Sequence, residues 1–143
     1  MMDLDRFKYY NDTFGHQQGD LALQAIAESI TLLLKRSTDF AARWGGEEFA
    51  VLLPVTDSEH ALSVAESLRA GIEETVIPCV DESADNVTIS IGVNTHIPVS
   101  GSTIEGFISA ADAALYKAKE AGRNTIATAN DNSIHHTADP EVT

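Results

Sequence analysis

The chain has 143 residues, with 22 Asp and Glu against nine Lys and Arg, a formal net charge of −13 and 43% hydrophobic residues. That length supports one domain around one core, and so acidic a balance excludes a nucleic-acid surface, because phosphate backbones require basic stripes. No apolar run approaches the roughly 20 residues of a membrane helix and no charged leader precedes an apolar stretch, so the reading is a cytoplasmic fragment with no membrane segment of its own. The single Cys79 cannot close an internal disulfide and fits a reducing compartment, or simply a small hydrophobe.

In chain order, the first residues read as the end of a strand closing at Asp3-Leu4-Asp5. Residues Asn11 to Gly19 are loop-like, and Gly19-Asp20 opens a helix with Asp20 at or near its cap. Leu23, Ile26, Ile30 and Leu33 or Leu34 form its buried stripe, and it ends near Lys35-Arg36. Asp39-Phe40-Ala41-Ala42 and Ala50-Val51-Leu52-Leu53 read as two strands of a hairpin around Arg43-Trp44-Gly45-Gly46-Glu47-Glu48-Phe49, with Gly-Gly at the turn. Thr56-Asp57-Ser58-Glu59 matches a capping box, followed by the stripe Leu62, Ala65, Leu68 and Ile72. A short strand is expected over about Val76 to Val80, then a polar loop to Asn86. Val87, Ile89, Ile91 and Val93 alternate with Thr88, Ser90 and Gly92 as a strand with one face in the core.

Ser102-Thr103-Ile104-Glu105 is a second capping box, and Ile104, Phe107 or Ile108, Ala111, Leu115 and Ala118 continue it to the helix stop at Gly122. Thr125 to Ala129 reads as a last edge strand. The expected domain is 1–129, and 130–143 is a polar tail without periodicity, in which His135-His136 has no neighbours at ligand spacing. The order strand, helix, hairpin, helix, strand, helix, strand predicts an α+β fold, an antiparallel sheet sandwiched with helices in the split β-α-β manner.

Several groups could carry chemistry. Asp3 and Asp5 lie two apart on one face of a strand end, and a hairpin bearing Glu47 and Glu48 alongside would gather the hard oxygen ligands that Mg²⁺ prefers. Alone, Asp3 could equally be a strand cap and Glu47 a turn residue. Lys119 and Arg123, four apart, would share a helix face, and Arg36 and Asp39, three apart, suggest a helix-end ion pair. An acidic body with a few basic residues at one mouth suits a small anionic ligand accompanied by metal.

These stretches, taken together with Asn11-Asp12-Thr13-Phe14-Gly15-His16, Val87-Thr88-Ile89-Ser90-Ile91-Gly92 and Ala118-Lys119-Glu120-Ala121-Gly122-Arg123-Asn124, resemble the GGDEF-type diguanylate cyclases from Met2 to about Ala127, in a Gly45-Gly46-Glu47-Glu48-Phe49 variant. The resemblance implies a palm-like fold shared with polymerases and nucleotidyl cyclases, a ferredoxin-like core, and a first strand cut short after an upstream regulatory domain. It implies condensation of two GTP into cyclic di-GMP by a homodimer, with two Mg²⁺ per site and Mn²⁺ as an alternative.

By the same resemblance Asp3, the Leu4 carbonyl and Glu47 hold metal, with Glu48 near the metal or ribose and Glu47 helping deprotonation. Asp5 would act as a further ligand or as a brace. Arg6, Phe7, Lys8, Lys119 and Arg123 grip phosphates, and Asn11 and Asp20 read guanine, a part that for Asp20 competes with capping. Arg36 and Asp39 match an inhibitory product site, whereas Ser67 stands where the family often has a further arginine, with Arg69 two residues on. The rival readings are a catalytically silent module that binds GTP or cyclic di-GMP, and a palm-fold cyclase using another nucleotide.

Overall fold

A computed structural model describes residues 1–78 and 86–129. The elements are β1 (Met2–Leu4), α1 (Phe7–Phe14), α2 (His16–Leu33), β2 (Phe40–Gly45), β3 (Glu48–Leu52), α3 (Ser58–Glu73), β4 (Ile89–Val93), α4 (Ile104–Glu120) and β5 (Ile126–Thr128). The sheet order is β2-β3-β1-β4-β5, with β1 at its centre. Its first three pairings are antiparallel, but β5 runs parallel to β4, so the sheet is mixed and not wholly antiparallel as expected. No helix among the described residues is long and apolar enough to cross a membrane.

The residues expected as a loop between Asn11 and Gly19 are helical, because the break falls at Gly15. Its φ of +86° is open to glycine, and its N–H caps α1 by donating to the Asn11 carbonyl at 2.8 Å. Gly19 therefore lies inside α2, and Asp20 is an exposed helical residue and not a cap. What Gly19 supplies is proximity: a Cβ there would stand 1.8 Å from Asn11 Oδ1 and 3.3 Å from the Phe7 ring, so α1 and α2 meet where only hydrogen fits.

One face of the sheet carries Met2, Leu4, Phe49, Ile89 and Ile91 into the main core with Leu23, Ile26 and Ile30 of α2 and Ala65, Leu68 and Ile72 of α3. Burying each of the larger aliphatic side chains is worth about 1.5–3 kcal/mol. On α3 the stripe is shifted, with Ala61 buried and Leu62 left 36% exposed. The second face of β4 is also covered: Ser90 is fully buried, and Gly92 lies directly beneath Ala111 and Leu115 of α4. Helices thus pack both faces of the sheet, α1 to α3 on one and α4 on the other.

The strand expected at Val76 to Val80 does not form over residues 76–78. Val76 is 84% exposed and Pro78 has no N–H for a ladder, while the Pro78 carbonyl accepts from Gln18 at 2.9 Å. Cys79 and Val80, the polar loop over residues 81–85, and the tail with His135-His136 lie outside the described residues.

The cap of α3 is Asp57, one residue later than the capping-box pattern suggested. Its carboxylate accepts from the His60 N–H at 2.8 Å and lies 2.7 Å from the His60 ring Nδ1. Those bonds hold the Asp57 carboxyl below its ordinary range, and the same carboxylate holds the His60 imidazolium above its own. A depressed Asp stabilises above its unfolded pKa, about 3.9, and loses that contribution as pH falls; a raised His stabilises below about 6.5 and loses it as pH rises. The pair therefore stabilises most in mild acid. His60→Gln is expected to lower the thermal midpoint more at about pH 5.5 than at about pH 8, and equal losses at the two values would show that the charged pair contributes nothing.

Candidate active site

The hairpin turn centres on Gly46-Glu47, one residue later than the Gly-Gly pair suggested. Gly46 takes the positive φ of +53°, and a register shift between Arg43 and Gly45 pushes Trp44 out as a bulge. Arg43 Nε spans the turn to the Gly46 carbonyl at 2.8 Å. The turn is then tied to the end of β1, since the Leu4 N–H donates to the Glu47 carbonyl at 3.2 Å and Asp3 sits opposite Glu48 in the β1–β3 register. Sheet pairing thus brings Glu47 and Glu48 to Asp3, as the sequence predicted.

The electrostatics follow from that pairing. Asp3 is 8% exposed, and its carboxyl is pushed above the ordinary range, first by burial and then by Glu47 and Glu48. Lys119 opposes the shift from 3.2 Å away, Nζ to Oδ2. The carboxylates sense one another's charge, yet among the described residues no three acidic, His or Cys side chains converge closely enough to grip an ion. The donor chemistry suits a divalent ion that keeps several waters: hard oxygens on adjacent strand ends, a carbonyl at Leu4 and mutual repulsion for a cation to relieve.

Asp5 takes the bracing part. Oδ1 accepts from Ser90 Oγ at 2.6 Å, and Oδ2 accepts from Thr88 Oγ1 at 2.7 Å and from the Asn124 N–H at 2.9 Å. With three donors on it, this carboxylate fastens β1 to β4 and to the turn after α4. Sequence reasoning missed Thr88, Ser90 and Asn124 as partners, and the small polar alternation of β4 was the available signal.

Arg6 holds φ of +54° at the start of α1, so the chain turns sharply there, and the first-turn N–H groups of α1, as in any helix, have no partner within the helix. Phe7 is buried in the core and can offer only its backbone to a ligand, while Lys8 is exposed. Arg123 does not share a helix face with Lys119. The helix α4 ends at Glu120, and Gly122, Arg123 and Asn124 follow with φ of +114°, +66° and +44°.

Asn11 Oδ1 is buried with no hydrogen-bond partner among the described residues, an acceptor held against Gly19 next to exposed Asp20. Asp20 also borders a cleft of about 360 Å³ between α2 and the hairpin, lined by Leu23, Gln24, Ala42, Arg43 and Phe49. The acidic residues Asp3, Glu47 and Glu48 do not line it.

Arg36 and Asp39 are not on a helix; they flank the turn before β2. Arg36 Nη2 lies 3.1 Å from Asp39 Oδ1, but its N–H bonds go to Thr38 Oγ1 at 3.3 Å and to the Pro54 carbonyl. The contact is an ion pair without a hydrogen bond, and Asp39 Oδ1, though buried, accepts no hydrogen bond among the described residues. Arg69, two residues beyond Ser67, is committed to Glu66, Glu73 and Asn124.

The family model for the diguanylate cyclase GGDEF domain matches residues 1–125. The chain belongs to the GGDEF-domain family. Diguanylate cyclase A of Treponema denticola is 42% identical over 132 residues, 92% of this chain and 35% of that protein. Among solved structures, the GGDEF domain of DgcB from Caulobacter crescentus in complex with c-di-GMP superposes with a TM-score of 0.82 at 34% identity, covering 90% of this chain and 74% of that one. The active GGEEF domain of a diguanylate cyclase from Vibrio cholerae gives 0.79 at 33% identity, covering 89% and 78%. These likenesses bear out the expected palm-like architecture. The GGDEF domain spans about a third of the length of the curated relatives it matches.

Proposed function

We propose that this GGDEF domain condenses two GTP molecules into cyclic di-GMP with release of two pyrophosphates, each 3′-hydroxyl attacking the α-phosphorus of the other nucleotide. The observation that carries the reading is the β1–β3 register, Asp3 opposite Glu48 with the Glu47 carbonyl bonded to Leu4, which assembles the acidic end beside Lys119. One domain holds one GTP, so two copies face each other in the working enzyme. A regulatory domain upstream, in the cytoplasm or anchored to a membrane, is part of the same proposal.

Each residue has a part. Asn11 Oδ1, the unpaired acceptor, takes a guanine N–H, and the Asp20 carboxylate takes the others, a pattern that adenine cannot present. The first-turn N–H groups after Arg6, at Phe7 and Lys8, with the Lys8, Lys119 and Arg123 cations, hold the phosphates. Asp3, the Leu4 carbonyl, Glu47 and Glu48 would hold Mg²⁺ or Mn²⁺, which when bound supplies charge neutralisation and acidifies the hydroxyl. Glu47, partly buried in the turn, accepts the proton from the attacking 3′-hydroxyl. As the phosphates draw Lys119 away, the Asp3 carboxylate is freed for the cation.

Arg36 and Asp39 form the product site: Asp39 Oδ1 is a ready acceptor for a guanine N–H, and the half-exposed Arg36 guanidinium can turn to a phosphate. Incubation with GTP and Mg²⁺, followed by chromatography, is expected to yield cyclic di-GMP, and recovery of unchanged GTP from the paired domain would defeat the reading. Arg36→Ala is expected to keep synthesis while weakening cyclic di-GMP binding on the order of tenfold or more, since a charge-assisted hydrogen bond is lost. Calorimetric titration checks it, and an unchanged affinity would remove Arg36 from the site.

A further inference from the structure

Asn124 stands at the junction of three elements. Its N–H donates to Asp5 Oδ2 at 2.9 Å, its side-chain Nδ2 donates to Glu73 Oε1 at 2.9 Å, and its Oδ1 accepts from Arg69 Nη1 at 2.9 Å. Arg69 is itself clamped on α3 by Glu66, with contacts at 2.6 and 2.9 Å, and by Glu73 at 3.0 Å. Asp5 is clamped to β4 through Thr88 and Ser90. A continuous line of hydrogen bonds therefore runs from α3, through residue 124, to the β1 end where α1 begins.

Two features make Asn the residue for this place. A φ of +44° is tolerated by Asn far better than by most side chains. A primary amide also donates and accepts at once, which the facing Glu73 carboxylate and Arg69 guanidinium together require. Asp would repel Glu73, and Ala or Gly would satisfy neither partner. Arg123, immediately before it, has φ of +66°, and its N–H donates to the Ala118 carbonyl at 3.2 Å.

We propose that Asn124 is a positioning residue for the nucleotide's phosphates: by tying the left-handed turn at Arg123 to both α3 and Asp5, it sets Arg123 against the Arg6-Phe7-Lys8 segment across the site. The proposal rests on the GTP-binding reading above. It assigns Arg69 to this task on α3 and gives Glu73 the role of orienting the amide.

Titration calorimetry with a non-hydrolysable GTP analogue plus Mg²⁺, and separately with guanosine, tests it on wild type, Asn124→Asp and the double variant Asn124→Asp with Glu73→Gln. The single variant keeps the backbone bond to Asp5 and the acceptor for Arg69 but sets two carboxylates together. It is expected to bind the analogue about tenfold more weakly, the scale of one charge-assisted contact misplaced, with guanosine binding unchanged. The double variant restores a donor on residue 73 and is expected to recover the analogue affinity.

Unchanged analogue affinity in Asn124→Asp, an equal loss for guanosine, or a double variant that fails to recover while melting like wild type would each overturn the proposal alone. Wild-type protein that binds the analogue no more tightly than guanosine would overturn the nucleotide reading and this proposal with it.

Discussion

Gly92→Val is expected to destabilise the domain by about 3 kcal/mol or more, read as a fall in the urea or thermal midpoint. A Cβ at residue 92 would lie 2.2 Å from the Ala111 carbonyl oxygen, 2.2 Å from the Leu115 nitrogen and 2.7 Å from the Leu115 Cα. All three are backbone atoms inside α4, so no rotamer change relieves the overlap, and the helix must move off the sheet as a body. That movement would open the second face, over which Ala114 and Ala118 are buried, and would draw Lys119 from Asp3. Gly45→Ala is the control: nothing lies within 4 Å of a Cβ there, and a change within about 0.5 kcal/mol is expected. Equal midpoints for Gly92→Val and wild type would mean that α4 does not sit against β4 as described.

The same glycine shows what the sequence could and could not reveal. Where hydrophobicity decides, the reading holds: Leu23, Ile26 and Ile30 fall on one face of α2, and Val87, Ile89 and Ile91 enter the core. Where small or polar residues are used for proximity or bonding, pattern misleads. Ser90 and Gly92 look like a solvent face but are covered, Ser90 by its bond to Asp5 and Gly92 by the close approach of α4. Gly19-Asp20 looks like a helix start because glycine and aspartate cluster at helix ends, yet Gly19 is there to admit Asn11. Arg123 drops out of helical spacing because Gly122 unwinds the chain one residue earlier.

Of the candidate site, the neighbourhood of Asp3, Glu47 and Glu48 is legible in sequence and the partners of the other residues are not. Asp3, Glu47 and Glu48 are brought together by strand pairing, which depends on register and hence on the hydrophobic alternation visible in sequence. The partners of Asp5 come from residues 88, 90 and 124, and no local pattern links positions so far apart. The spacing of Arg36 and Asp39 suggests a helix-end ion pair, but burial of Asp39 and the pull of the Pro54 carbonyl on Arg36 arise only once the start of β2 packs.

Glu47→Gln is expected to reduce cyclic di-GMP synthesis by about 10²–10⁴-fold, the range for loss of a positioned acid–base group, with metal support lost besides. The substitution is nearly isosteric, and the fold uses Glu47 through its carbonyl, which accepts from the Leu4 N–H at 3.2 Å and is unaffected by the change. The midpoint of unfolding and the affinity for cyclic di-GMP at the proposed Arg36–Asp39 site should therefore stay at wild-type values. Removing one negative charge also relieves Asp3, whose carboxyl Glu47 helps to push upward, so ionised Asp3 becomes easier to form even as activity falls. This opposition separates a chemical role from an electrostatic one. If Glu47 merely tuned Asp3, Glu47→Gln would ease Asp3 ionisation and preserve turnover toward lower pH; if it binds the cation and takes the hydroxyl proton, turnover is lost at every pH. A pH–rate profile of the two proteins decides, and wild-type turnover in the variant would remove Glu47 from the reaction.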